Sequence, residues 1–261
     1  MRVQRLSAPL GIIVNDVDVT TMDEDQWQQI NTLFCQHHVL VFPQQALNPE
    51  QQIAFAARWG ELVAHPYAAL EGYPTIIELE NRGKSRDVNQ HWHSDMTFNP
   101  SPPKLTMLYA LKAPKIGGDT AFSNQVLAYA ELSGGLKAVV DGLQAHHSAK
   151  GLARLYGENE QEAPRALHPV VRTHDESGER ALYVCRAFTQ RFEGWSREES
   201  ESLLEYLFKH ATRPEFQARH QWHTGDLVMW DNRSVLHYAV HDHGDDARVI
   251  HRCQVEGPRP C

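Results

Sequence analysis

His93 and Asp95 stand two residues apart in the run His91-Trp92-His93-Ser94-Asp95. In a strand or strand end, alternate side chains point to one face, so this imidazole and this carboxylate can share one ion. A second imidazole from a distant strand would complete a facial set of three donors, which suits Fe(II) and leaves coordination positions open. His237 is the candidate for that role. The same spacing recurs at His243 and Asp245, inside a polar run from His241 to Asp246 that reads as a solvated loop. With 16 histidines in the chain, a histidine and an aspartate two apart are a weak sign by themselves.

What distinguishes His93, Asp95 and His237 is the company they keep. Arg248 follows His237 closely, and Arg252 lies four residues further on in Arg248-Val-Ile-His-Arg252. In an extended strand Arg248, Ile250 and Arg252 face the same way, which sends two guanidinium groups towards one place. Arginine is suited to holding a carboxylate with two parallel hydrogen bonds in a partly buried site. A 2-oxoglutarate molecule chelating a metal through its keto-acid end presents its far carboxylate where such an arginine is needed. The bland alternative, a pair of surface arginines, is disfavoured by their nearness to His237.

Elements must position these residues. Trp27, Ile30, Leu33 and Phe34 fall on one face of a helix predicted over Asp23 to Phe34, and a strand follows from Val39 to Phe42. Asn48 and Pro49 read as the cap and first position of a helix through Ile53, Ala57 and Trp59 that stops at Gly60. These two helices are expected to cover one side of a sheet. The segments Ile76 to Leu79 and Leu105 to Leu111 look extended, with a turn-rich stretch from Asn99 to Pro103 between them. Ser123 is expected to open a helix carrying Val126, Leu127 and Ala130, and Ser196 with Glu199 forms a capping box ahead of Leu203, Leu204, Leu207 and Phe208. Turns at Thr224-Gly225-Asp226 and Asp231-Asn232 flank a strand from Leu227 to Trp230, and another strand runs from Val249 to Val255. The expectation is a mixed α and β protein with a mainly β core, a β-sandwich or jelly roll flanked by helices. No repeat or linker divides it, so residues 1–261 read as a single domain.

Composition narrows the class of protein. A chain that is 41% hydrophobic and 22% charged is an ordinary globular one with enough apolar side chains for a sizeable core. A formal charge of -8 argues against a nucleic-acid partner, because sequence-independent binding needs a clustered positive surface. Cys35, Cys185, Cys253 and Cys261 lie far apart without a C-x-x-C pair, and read as reduced structural cysteines. No apolar run approaches the roughly 20 residues that span a bilayer, and no signal-peptide pattern is present. No membrane partner is expected, and the expected compartment is the cytoplasm.

Beyond the metal residues, the sequence resembles the taurine dioxygenase family of iron- and 2-oxoglutarate-dependent oxygenases, which includes 2,4-dichlorophenoxyacetate dioxygenases and alkylsulfatases. The likeness runs through Phe42-Pro-Gln-Gln45, Trp59-Gly-Glu-Leu62 with His65-Pro66, Trp92-His-Ser-Asp-Met-Thr-Phe98 and Gly117-Gly-Asp-Thr120. It continues through His168-Pro-Val-Val-Arg-Thr-His174 and Trp230-Asp-Asn-Arg-Ser-Val-Leu-His-Tyr-Ala239 to Arg252, over most of the chain. The resemblance implies a double-stranded β-helix, a jelly roll with helices packed outside. It implies Fe(II) on His93, Asp95 and His237, and the far carboxylate of 2-oxoglutarate on Thr120 and Arg248. It also implies a substrate pocket of His65, Asn89, Phe188 and Arg252, with Arg252 pairing with a sulfonate.

The implied reaction consumes O2 and 2-oxoglutarate, yields succinate and CO2, and hydroxylates a small organic acid. Taurine or a related alkylsulfonate, released as sulfite, is the first substrate class, with a sulfate ester or an aryloxyalkanoate as the alternative. The resemblance further implies a homo-oligomer. Two departures bear on the substrate. Tyr67 follows Pro66 directly, whereas the taurine enzymes place their tyrosine one residue later, and the stretch from His147 to Leu167 is shorter than its counterpart. Asn89 reads equally as a loop residue, Phe188 as a core aromatic and His65 as a group behind the ligands.

Two rival readings start from the same residues. A zinc hydrolase could use His91, His93 and a distant histidine, since His91 and His93 also share a face, but it explains neither arginine. A non-catalytic binding protein could keep the scaffold, because a fold does not guarantee activity, but the intact ligand set argues against it.

Overall fold

In the computed structural model, which describes residues 1–65, 68–81 and 91–261, the chain opens with a hairpin of β1 (Arg2–Arg5) and β2 (Ile12–Asn15). α1 (Glu24–His37) starts on a capping box in which Asp23 and Gln26 exchange side-chain-to-backbone hydrogen bonds. It leads into β3 (Val39–Phe42), buried along its length. α2 (Pro49–Ala56) starts the same way on Asn48 and Gln51, then tightens into a 3-10 turn over Ala57–Trp59. There follow β4 (Ile76–Asn81), β5 (Leu105–Lys112), β6 (Thr120–Asn124), α3 (Gln125–Ala130), α4 (Gly134–Val140), β7 (Gln144–Ser148), α5 (Lys150–Tyr156) and β8 (Arg165–Pro169). The chain ends through β9 (Val171–Thr173), β10 (Arg180–Leu182), β11 (Thr189–Phe192), α6 (Arg197–Ala211), β12 (Gln217–His220), β13 (Leu227–Asp231), β14 (Val235–Ala239) and β15 (Arg248–Val255).

Seven strands form one sheet in the order β1-β2-β3-β13-β5-β15-β4, and three form a smaller one, β12-β6-β14. Alternation along the strands decides what lies between them. Val39, Val41, Leu108, Ala110, Val228, Trp230 and Ile250 leave the large sheet on its inner face and pack against Phe122, Ala218 and Val235 of the small sheet. Their neighbours Leu40, Phe42, Met107, Tyr109, Leu227 and Met229 leave the opposite face and pack under Ile30 and Phe34 of α1 and Phe55 of α2. β3 and β13 are therefore covered on both faces, which is why they read as continuous apolar runs. The result is a jelly roll with two helices against its outer face, as expected.

Three local expectations are corrected. The segment from His91 to Asp95 is not a strand: His93 makes one isolated β-bridge, and the chain turns at once, with Met96 in the left-handed region at φ 49. α3 is capped by Asn124, whose side chain accepts from the Leu127 N–H; Ser123 belongs to β6 and donates instead to the Ala211 carbonyl at 2.6 Å. The run from His241 to Asp246 is not wholly solvated either, because His243 is buried against the Gly118 turn while Asp245 is exposed.

Candidate active site

The backbone joins His93 to His237. The His93 N–H donates to the His237 carbonyl at 3.0 Å, and the His237 N–H donates to the His93 carbonyl at 2.7 Å. Residues paired in this way across a bridge send their side chains to the same face, and the two ring centroids lie 4.0 Å apart. Asp95 enters from the turn, with Oδ1 3.7 Å from Nε2 of each histidine. All three residues are buried, and their donor atoms lie within 4.8 Å of one another.

Protonation suits this set to a cation. His93 Nδ1 faces the His91 carbonyl at 2.7 Å; a carbonyl only accepts, so Nδ1 carries the proton and Nε2 is the lone-pair donor. Burial, helped by His93 and Arg252, draws His237 down to about 3 against the pull of Asp95, so this ring is neutral at neutral pH. Burial pushes Asp95 upward, but His237, His93, Arg252 and the Thr106 hydroxyl outweigh it and hold the carboxyl at about 2. One carboxylate and two imidazoles fit a first-row divalent ion such as Fe(II). An ion about 2.1 Å from each donor can span a gap of up to about 4.2 Å, so the 3.7 Å separations accommodate one.

The other carboxylate oxygen is spoken for. Asp95 Oδ2 accepts from Thr106 Oγ1 at 2.6 Å and from Gln254 Nε2 at 3.1 Å. Asn232 Nδ2 donates to Thr106 Oγ1 at 2.8 Å, and its Oδ1 accepts from Trp230 Nε1 at 3.0 Å. With Thr106, Gln254 and Asn232 all buried, this network leaves Oδ1 to face the histidines. Asn232 lies in the turn between β13 and β14 and so couples the carboxylate to the strand carrying His237. That turn is locked in its own right: Asp231 accepts from Arg233 Nε at 2.8 Å, Arg233 Nη2 at 2.6 Å and His174 Nε2 at 2.8 Å. Sequence reasoning missed Thr106 and Gln254. Thr106 was marked only by being polar inside a largely apolar strand, and Gln254 by nothing that sets it apart from Arg248, His251 and Arg252 in the same strand.

A cavity of about 270 Å³ opens between the sheets beside Asp95 and His237, and Leu108, Thr120, Trp230, Arg248 and Arg252 contribute to its walls. Thr120 begins β6, while Arg248 and Arg252 flank Ile250 on the inner face of β15. Burial lowers Arg248 to about 10 against the pull of Asp119, so the guanidinium stays charged at neutral pH. It stands 5.3 Å over the ring of Trp222, whose Nε1 donates to Thr120 Oγ1 at 3.0 Å. At Gly118, with φ +70, an added Cβ would come within 2.9 Å of Pro114 and 3.4 Å of Arg248 Cδ. Glycine there lets the turn close over the arginine.

The expected substrate residues are placed differently from one another. His65 is half-buried, and burial followed by Arg252 lowers its pKa while Asp95 opposes, which puts it in the field of both charges. Phe188 lies in the core, its ring edge-on to His93 at 6.1 Å and to Phe98 at 5.1 Å, so it backs the His93 ring. Asn89, like Pro66 and Tyr67, lies outside the described residues.

The chain matches the model of the Taurine catabolism dioxygenase TauD, TfdA family over residues 3–254. It is 34% identical over 273 residues to an alkylsulfatase of Acinetobacter baylyi, covering 98% of this chain and 85% of the relative. It is 37% identical over 250 residues to an alpha-ketoglutarate-dependent 2,4-dichlorophenoxyacetate dioxygenase of Cupriavidus pinatubonensis, covering 86% of each. A solved taurine dioxygenase from Burkholderia xenovorans superposes with a TM-score of 0.88 at 35% identity, over 99% of this chain and 92% of that one. The chain belongs to this family of jelly-roll dioxygenases. It is an Fe(II)- and 2-oxoglutarate-dependent dioxygenase that uses O2 and acts on a small molecule. No described helix is long and apolar enough to cross a membrane.

Proposed function

We propose that His93, Asp95 and His237 hold the iron, that Thr120 and Arg248 hold the far carboxylate of 2-oxoglutarate, and that Arg252 takes the acidic group of a small alkylsulfonate such as taurine. His65, Asn89 and Phe188 complete the substrate pocket in this reading, Phe188 by fixing the His93 ring. The observation that carries it is the pair of arginines on one face of β15, both on the walls of the cavity that Asp95 and His237 also line. Two anion holders beside one metal set match one anionic cosubstrate and one anionic substrate. A sulfate ester is the second reading, favoured by the name of the Acinetobacter relative. Sulfonate and sulfate ester present the same three-oxygen anion to Arg252, attached through carbon or through oxygen.

Iron, 2-oxoglutarate and O2 together supply the oxidising chemistry: the cosubstrate becomes succinate and CO2, and an oxygen atom is placed on a substrate carbon. The chain's own residues bind and orient. Arg248, charged and screened from water, anchors one end of the cosubstrate, and Thr106 with Gln254 keeps Asp95 Oδ2 occupied, so that Oδ1, which faces both histidines, would be the oxygen to hold the iron. Arg252 fixes the acidic group so that the adjacent carbon is the one presented, since orientation of this kind accounts for much of enzymatic rate. A hydroxyl and a sulfonate on one carbon collapse to a carbonyl with loss of sulfite, which gives the reaction a measurable product.

Arg248→Ala should raise the 2-oxoglutarate KM about 10- to 100-fold, the cost of hydrogen bonds to a charged group, and move the substrate KM little. Arg252→Ala should do the reverse. Steady-state kinetics on both variants decide the matter, and equal rises in both KM values for either one reject the division of labour. Anaerobic titration of the Fe(II) and 2-oxoglutarate complex with sulfonates, sulfate esters and aryloxy acids, followed by metal-to-ligand absorption, selects the substrate class. The same reading takes residues 1–261 as one catalytic domain and the working form as a cytoplasmic homo-oligomer. Its four free cysteines support a reducing compartment, and light scattering measures the assembly.

A further inference from the structure

We infer that Trp222 is a positioning residue for the cosubstrate, one indole setting both the hydroxyl of Thr120 and the guanidinium of Arg248. The inference rests on the assignment of those two residues to the far carboxylate of 2-oxoglutarate. An indole N–H can only donate, so in the 3.0 Å contact Thr120 Oγ1 is the acceptor. The threonine proton must then point away from Trp222. Thr120 lines the cavity, which makes a carboxylate oxygen there its natural acceptor. The same ring lies beneath Arg248 at 5.3 Å. An aromatic face attracts a cation without itself engaging the N–H donors through a negative oxygen, so the indole steadies the guanidinium from its ring face.

Trp222 is itself well held. It is 2% exposed and follows β12, where His220 pairs in register with Thr120. The His220 ring meets it edge-on at 4.8 Å. Thr120 and Arg248 thus share this one buried indole as a common contact.

Trp222→Phe keeps an aromatic face and removes the N–H, whereas Trp222→Leu removes both. Anaerobic titrations of the Fe(II)-loaded protein with 2-oxoglutarate and with pyruvate separate the effects, because pyruvate has the same keto-acid end and no far carboxylate. Trp222→Phe should weaken 2-oxoglutarate binding about three- to tenfold, and Trp222→Leu about 10- to 100-fold, with iron and pyruvate affinities unchanged. Equal weakening of both keto acids, or no change in Trp222→Phe, overturns the inference. Thr120→Val and Arg248→Ala run alongside. If they lose the preference for 2-oxoglutarate while Trp222→Phe retains it, the clamp assignment stands and the role of Trp222 is rejected. If they too keep the preference, the clamp assignment falls and takes this inference with it.

Discussion

Replacing His237 with alanine should abolish iron binding and turnover together while leaving the chain folded. Alanine keeps the N–H and carbonyl that bridge to His93, so the main-chain contacts at 3.0 and 2.7 Å survive. What is lost is a neutral imidazole set between the His93 ring at 4.0 Å and the Trp230 ring at 4.5 Å, with no other described side chain offering a third donor to the set. Residues that merely support metal ligands typically change affinity 10- to 100-fold when removed; loss of a ligand should exceed about 100-fold. Iron retained after anaerobic loading, succinate formation and a thermal melt are the three measurements. Normal iron content and turnover in His237→Ala would refute the ligand assignment. His243→Ala provides the control, since it removes the histidine of the second His-x-Asp pair and should leave iron content unchanged.

The second large effect is on stability. Arg233→Met should destabilise the protein by about 3–5 kcal/mol, the usual cost of removing one partner of a buried ion pair, since among the described side chains His174 alone then remains hydrogen-bonded to the Asp231 carboxylate. Asp231 is buried, and burial pushes its carboxyl upward, but Arg233 and then His174 hold it far below the ordinary carboxylate range. A carboxyl depressed in the folded state stabilises above its unfolded value of about 3.9 and loses that contribution only as pH falls through its lower folded value. The wild-type pair therefore stays intact through mildly acid pH. Without Arg233 the carboxyl of Asp231 rises, so protonation relieves the variant and the gap in melting temperature should narrow from pH 7 to pH 5. A gap that widens on acidification contradicts this account. The exposed fork of Arg186 on Glu205, at 2.6 and 2.7 Å, competes with water, and its removal should barely move the melt.

These two experiments touch residues of very different legibility. That His93, Asp95 and His237 come together could be read from sequence because few residue types suit Fe(II) and because Arg248 and Arg252 follow at strand spacing. The reason offered for His93 and Asp95 sharing a face was nevertheless the wrong one. A single bridge followed by a tight turn, with Met96 at φ 49, brings them together where strand alternation was expected. The caps of α2 and α6 were legible since each is a contact between residues three apart. Thr106, Gln254 and Trp222 were not, because each acts on a residue distant in sequence and adjacent only after the sheets assemble. For Phe188 the sequence leaves a pocket residue and a core aromatic equally open, and only tertiary packing brings its ring against His93. β7, β8 and β11 escaped notice for a similar reason: their segments carry histidine, glutamine and arginine among apolar residues, and pairing with one another decides their conformation.

The cavity's walls have a mechanical corollary. Thr120 and His237 belong to the three-stranded sheet and Arg248 and Arg252 to the seven-stranded one, so a ligand spanning them ties the two halves of the barrel as a cross-brace. Binding restricted to the folded state adds stability with ligand concentration, about 2.7 kcal/mol at 100 times the dissociation constant. Melting temperature should therefore climb as 2-oxoglutarate is added to the iron-loaded protein, and climb less with Arg248→Ala. By the same linkage the protein without 2-oxoglutarate should open more often to proteases, which limited proteolysis with and without the cosubstrate measures. Cosubstrate supply would then set the lifetime of the folded protein as well as its rate.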